Sequence, residues 1–148
     1  MSVNPGGRRD LAAMMWPLAR RLVEAEEPIL AEHQTTMWGY IVLTALAEQP
    51  VRTQAALAQS IGADKSRIIA VLDELQEQGL IDRQPDPADR RVHLLSLTSE
   101  GERLRESIQA GIRRNEKRIL EHLPAEDHAA FLRSLQILTG LPHDELAP

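Results

Sequence analysis

The stretch ADKSRIIAVLDELQEQGLIDRQPDPADRRVHLLSLT, Ala63–Thr98, decides how the rest of the chain is read. Ile68, Val71, Leu72 and Leu75 recur at i, i+3, i+4 and i+7, which puts them on one face of a helix. Asp64 stands where an N-cap belongs, and Gly79 stands where a helix stops. Beyond the glycine, Leu80–Gln84 and Val92–Leu97 are strand candidates. The segment PDPADRR between them carries two prolines and two aspartates and cannot continue a helix. The alternation in VHLLSL is imperfect, so that strand rests on its bounded length and the loop before it. A capped helix followed directly by a hairpin has the layout of a recognition helix and its wing.

The residues upstream extend the pattern. Thr53 is placed to cap QAALAQSIG, whose Leu57 and Ile61 face inward and whose Gly62 closes a short helix. Two helices joined by a short glycine-bearing turn make a helix-turn-helix; their spacing alone fits a plain helical hairpin equally well, and the wing decides between them. Met37–Glu48 forms a further helix with Trp38, Ile41, Val42, Ala45 and Leu46 as its buried stripe, ended by Pro50. A first helix begins near Asp10, with Leu11, Met14, Met15, Leu18, Leu22 and Val23 at helical spacing. Pro17 and Pro28 predict that it is kinked or interrupted before about Ala31, and His33–Thr36 is the turn after it.

Downstream, Thr98 in TSEG caps a long helix whose apolar seam runs through Leu104, Ile108, Ile112, Ile119 and Leu123. Pro124 to Asp127 starts a last helix carrying Phe131, Leu132, Leu135 and Leu138, and Gly140 and Pro142 end it. The expected fold is mainly α with a small β-hairpin wing: an arm over residues 1–9, one domain over 10–141 with the winged helix-turn-helix at about 37–98, and a tail over 142–148.

Composition sets the outer limits. A chain of 148 residues has room for one ordinary domain, and its 43% hydrophobic and 26% charged content is that of a globular protein. No apolar run approaches the roughly 20 residues needed to span a bilayer, the N-terminus lacks a signal-type apolar region, and the chain has no cysteine. A cytoplasmic location without membrane association is the default expectation. The net charge of −5 argues against indiscriminate binding to nucleic acid. The basic residues cluster, however: Lys65 and Arg67 at the helix start, Arg83, Arg90 and Arg91 near the wing, and Arg113, Arg114, Lys117 and Arg118 further on. The last group reads as a solvated helix face.

Catalytic and metal chemistry find no support. Ser60, Ser66 and Ser96 lie in no nucleophile-elbow pattern, and the acid pairs Glu26–Glu27 and Asp73–Glu74 are helix neighbours that do not face each other. The five histidines, His33, His93, His122, His128 and His143, lack zinc-ligand spacing. No cofactor is expected. Trp16 and Trp38, with Arg20 and His33 as polar anchors, are candidates to line a pocket for a small-molecule effector, although core packing is the plainer role for each tryptophan.

With these residues in view, the chain resembles MarR-type winged helix-turn-helix regulators over roughly residues 10–141, most specifically in DPADRRVHLLSLTSEG, Asp86–Gly101. The resemblance implies a homodimer built from the terminal helices, about 10–31 and 98–141. It also implies double-stranded DNA as partner, with two half-sites about 10 base pairs apart, and repression relieved by a ligand. It assigns Arg91 to the minor groove, with Asp89 holding it and Arg90 on phosphate; a narrow A·T-rich groove favours a guanidinium. Many members carry threonine and arginine where this chain has Ile69 and Ala70, and an arginine is the commonest reader of guanine. Base contact therefore falls to Lys65, Ser66 and Arg67, with thymine-methyl contacts from Ile69 and Ala70 and Thr53 alongside, and the site should be A·T-weighted. The acidic balance and the missing groove arginine keep a second reading open: a winged-helix protein-interaction or structural module without sequence-specific DNA binding.

Overall fold

The computed structural model describes residues 7–50 and 52–146, and the chain divides between Ile112 and Arg113 into two compact units. In the first unit α1 (Leu11–Glu32) and α2 (Met37–Glu48) precede a short strand, β1 (Arg52–Thr53). Then come α3 (Gln54–Ile61), α4 (Lys65–Glu77), β2 (Ile81–Pro85), β3 (His93–Leu97) and the start of α5 (Ser99–Leu120). The second unit holds the end of α5, α6 (Ala125–Thr139) and the four-residue α7 (His143–Leu146). Residues 1–6 of the expected arm, and 147–148 of the expected tail, lie outside the described residues.

The helix boundaries have local causes. Thr36, Thr53 and Asp64 each accept a hydrogen bond from the backbone N–H three residues on, capping α2, α3 and α4. Gly62 (φ 68°) and Gly79 (φ 75°) end α3 and α4 in the left-handed conformation. After α4 the Leu80 N–H donates to the Leu75 carbonyl at 2.9 Å and the Gly79 N–H to that of Gln76 at 3.0 Å, with Leu75 and Leu80 both buried. The same bond pattern ends α1, from Thr35 to Leu30 and from Gln34 to Ala31, but there Gln34 takes the positive φ of 56°. A residue with a Cβ costs about 1–2 kcal/mol in that conformation. Gln34→Gly should therefore stabilise the protein by about 0.5–1 kcal/mol after the larger unfolded-state entropy of glycine is subtracted, raising Tm by roughly 1–4 °C in calorimetry.

The core of the first unit is aliphatic. Val42, Leu43, Leu46, Leu57, Leu72 and Leu95 are fully buried and join Ile68, Leu75 and Ile81 in one cluster. A second group, Leu30, Ile108 and Ile112, packs with Met37 and Tyr40. Trp38 and Ile41 are only half-buried, and Leu43 takes the interior place expected of them. The three strands are antiparallel in the order β1-β3-β2, with Arg83 opposite Leu95 and Arg52 on its other side.

Three expectations need correction. α1 is uninterrupted through Pro17 and Pro28. β1 was not expected, because Thr53 serves both as a strand residue and as the cap of α3. Residues 143–146 form a helical turn where a tail was expected. In the second unit α6 buries no side chain fully, and Phe131, Leu132, Ile137 and Leu138 stand 40–60% exposed.

Candidate nucleic-acid interface

The candidate interface consists of the first turn of α4 and the tip between β2 and β3. Asp64 Oδ1 accepts from the Arg67 N–H at 2.7 Å, which fixes the backbone of that turn. Lys65, Ser66, Arg67 and Ala70 are exposed, and Ile69 is 37% exposed. Ser66 and Ala70 lie on the face opposite Ile68, Leu72 and Leu75, Arg67 and Ile69 flank that face, and Lys65 is exposed at the helix start. Thr53 is half-buried and its hydroxyl is engaged by the Ala56 N–H, so its role in this structure is the cap.

The wing tip is a set of nested turns. The Asp86 N–H donates to the Val92 carbonyl at 2.8 Å, the Val92 N–H to Asp89 at 2.9 Å, and the Ala88 N–H to Asp86 Oδ1 at 2.9 Å. Asp89 Oδ1 accepts from the Arg91 backbone N–H at 3.1 Å and from its Nε at 3.3 Å. The arginine side chain is otherwise solvated, 92% exposed, and Arg90 is exposed beside it. A carboxylate thus braces the guanidinium of Arg91 at the end of a short hairpin, with the donors on its outer nitrogens directed to solvent.

Two further arginines have partners that sequence reasoning did not find. Arg83 reaches back from β2 to α4, donating to Asp73 Oδ1 and, at 3.1 Å, to Gln76 Oε1. On sequence it falls with the wing cations, but it joins the wing to α4 and offsets the charge of Asp73 on the exposed surface of that helix. The Arg67 guanidinium lies over the Trp38 ring, 5.3 Å from its centroid. No periodicity signals either pair, since both are set by tertiary packing across elements.

The four proposed effector residues do not gather in one place. Trp16 is 68% exposed, and Arg20 pairs with Glu24 at 3.5 Å on the surface of α1. His33 Nδ1 donates to the Ile29 carbonyl at 2.8 Å and serves the end of α1. Seventeen helical rises, roughly 25 Å, separate Trp16 from His33. A surface cleft of about 420 Å³ involves none of them; it lies among Leu46, Pro50, Leu97, Thr98, Glu102 and Arg103. Arg105 donates to Glu102 at 2.8 Å, and that bond holds the glutamate carboxyl below its ordinary range. Among the described residues no cluster of three or more histidine or acidic side chains could hold a metal, and no helix is long and apolar enough to cross a membrane.

Comparison with known proteins adds to this geometry. The MarR family model matches residues 34–92. The PcaV transcriptional regulator from Streptomyces coelicolor, solved with its natural ligand, is 33% identical over 90% of this chain and 96% of its own, with a TM-score of 0.66. A MarR-family regulator from Rhodococcus sp. RHA1 is 28% identical over 90% of this chain and 97% of its own, with a TM-score of 0.75. The repressor CouR, of Rhodococcus jostii RHA1, solved on a 23-mer DNA duplex, is 29% identical over 88% of this chain and 92% of its own, with a TM-score of 0.76.

Proposed function

Because the chain belongs to the MarR family of winged helix-turn-helix regulators, we propose that it is a homodimeric transcriptional repressor that binds a palindromic duplex site and releases it when a small molecule binds. The observation that carries this reading is the wing tip, where Arg91 is 92% exposed yet braced by Asp89. A guanidinium so presented suits the negative potential of a narrow minor groove. Lys65, Ser66 and Arg67 at the start of α4 are the contacts proposed for the adjoining major groove, with Ile69 and Ala70 against thymine methyls and Arg90 on phosphate.

Exposed apolar side chains support the dimer. Leu11, Met14, Met15, Trp16, Leu18 and Val23 on α1 are 40–68% exposed, and α6 presents four more. Apolar surface in such quantity marks an interface; both helices are assigned here to contact with a second copy. Small-molecule control is supported by likeness to PcaV, solved with its natural ligand. The ligand acts as a coupling free energy of about 1–3 kcal/mol between effector and duplex. Such a protein works in the cytoplasm and catalyses no reaction.

The test is to sequence the duplexes that the protein retains from a random pool. The expected result is a palindrome with half-site centres about 10 base pairs apart and A·T-weighted half-sites, because no arginine stands at positions 69 or 70 to read guanine. G·C-rich half-sites would sink the A·T weighting. Retention of no duplex near physiological salt would leave the chain as a protein-interaction module.

A further inference from the structure

We propose that Trp38 is a positioning residue for duplex binding, its ring holding the Arg67 guanidinium ready for the major groove at the first turn of α4; this rests on the regulator reading above. Arg67 has a long, exposed side chain that would otherwise lose rotamer freedom on meeting DNA. Two constraints limit that loss. Its backbone is fixed through the Asp64 cap at 2.7 Å, and its guanidinium lies 5.3 Å from the Trp38 centroid. Trp38 itself stands in the first turn of α2, on a backbone held by the Thr36 cap, and is half-buried, so the ring is a stable platform.

A cation–π contact suits this role. The ring attracts the charge without accepting any of the five N–H donors in a conventional hydrogen bond, so those donors stay available to the duplex. Among the described residues no carboxylate pairs with Arg67, whereas Arg83 and Arg105 pair with Asp73 and Glu102. Held by a ring instead of an acid, Arg67 keeps its full charge while its position is restricted. Trp38 thereby belongs to the DNA-binding apparatus and not to an effector pocket.

The experiment is a double-substitution cycle on a duplex selected by the protein itself, using W38L, W38F, R67A and W38L/R67A, with circular dichroism to verify folding. W38L should weaken binding about 2- to 5-fold per half-site, hence about 4- to 25-fold across a dimer. W38F should retain most of the affinity, and W38L should add nothing in the R67A background. If W38L binds as tightly as the parent, or weakens R67A just as much, the inference is overturned and the regulator reading stands. If the parent binds no duplex, both fall. Should W38L fail to fold, W16F leaves Trp38 as the remaining indole of the two in the chain. Duplex should then shift its emission in W16F but not in W16F/R67A, and equal responses would reject the pairing.

Discussion

Gly101→Ala is expected to destabilise the protein by about 3–5 kcal/mol, a large part of the 5–15 kcal/mol typical of a domain. A Cβ at this position would lie 2.1 Å from the Leu80 carbonyl oxygen, 3.0 Å from its carbon and 3.3 Å from Leu97 Cδ2. The obstacle is backbone, and it cannot retreat freely. The Leu80 carbonyl accepts the Thr98 N–H at 3.1 Å, while the Leu80 N–H closes the end of α4. Thr98 also donates through its hydroxyl to the Gly79 carbonyl at 2.7 Å and accepts from the Gly101 N–H at 3.0 Å. The end of α4, the edge of the sheet and the start of α5 thus meet within one hydrogen-bonded knot.

Overpacking alone costs about 1–3 kcal/mol, and losing a buried backbone bond adds about 1–3 kcal/mol. Against these, alanine gains up to about 1 kcal/mol in helix propensity. The expected Tm loss is roughly 6–20 °C, read by thermal unfolding. Gly62→Ala is the control: its φ is 68° but nothing lies within 4 Å of the added methyl, so only the backbone strain of about 1–2 kcal/mol should appear. Equal losses for the two variants would show that the contact with Leu80 is not what Gly101 provides.

Gly101 also illustrates what was legible in the sequence. TSEG was readable as a cap on Thr98, because capping depends on residues a few positions apart. The need for glycine at its fourth position was not, since that depends on a carbonyl 21 residues earlier in the chain. The same division runs through the molecule. Met37–Glu48, the caps at Thr53 and Asp64 and the stops at Gly62 and Gly79 follow local rules and were all readable. β2 starts and ends one residue later than expected and β3 starts one residue later, while the end of β3 at Leu97 agrees; pairing partners decide such ends. β1, the Arg83–Asp73 brace and the Arg67–Trp38 contact are products of tertiary packing. They could not be derived from periodicity, and they reassign two of the cations grouped on sequence alone.

Arg91→Ala is expected to lower duplex affinity by about 1–3 kcal/mol per half-site, or about 2–6 kcal/mol for a dimer engaging both wings. That is a loss of roughly 30-fold or more. The side chain is 92% exposed, so its removal should leave Tm nearly unchanged, and the loss belongs to binding rather than folding. Titrations at several salt concentrations should also give a shallower dependence, because a cation in the groove displaces counterions on each half-site. Preference for A·T steps under the wing should relax. Asp89→Ala separates the brace from the charge. It removes the acceptor that holds the Arg91 backbone at 3.1 Å and Nε at 3.3 Å, but it also removes a negative charge near phosphate. If bracing dominates, affinity falls despite the more favourable net charge, by a few-fold, in keeping with the about 0.2–1 kcal/mol of an exposed ion pair. If affinity rises instead, Asp89 opposes binding and Arg91 acts without it; if Arg91→Ala itself binds like the parent, the wing is not the element that holds the duplex.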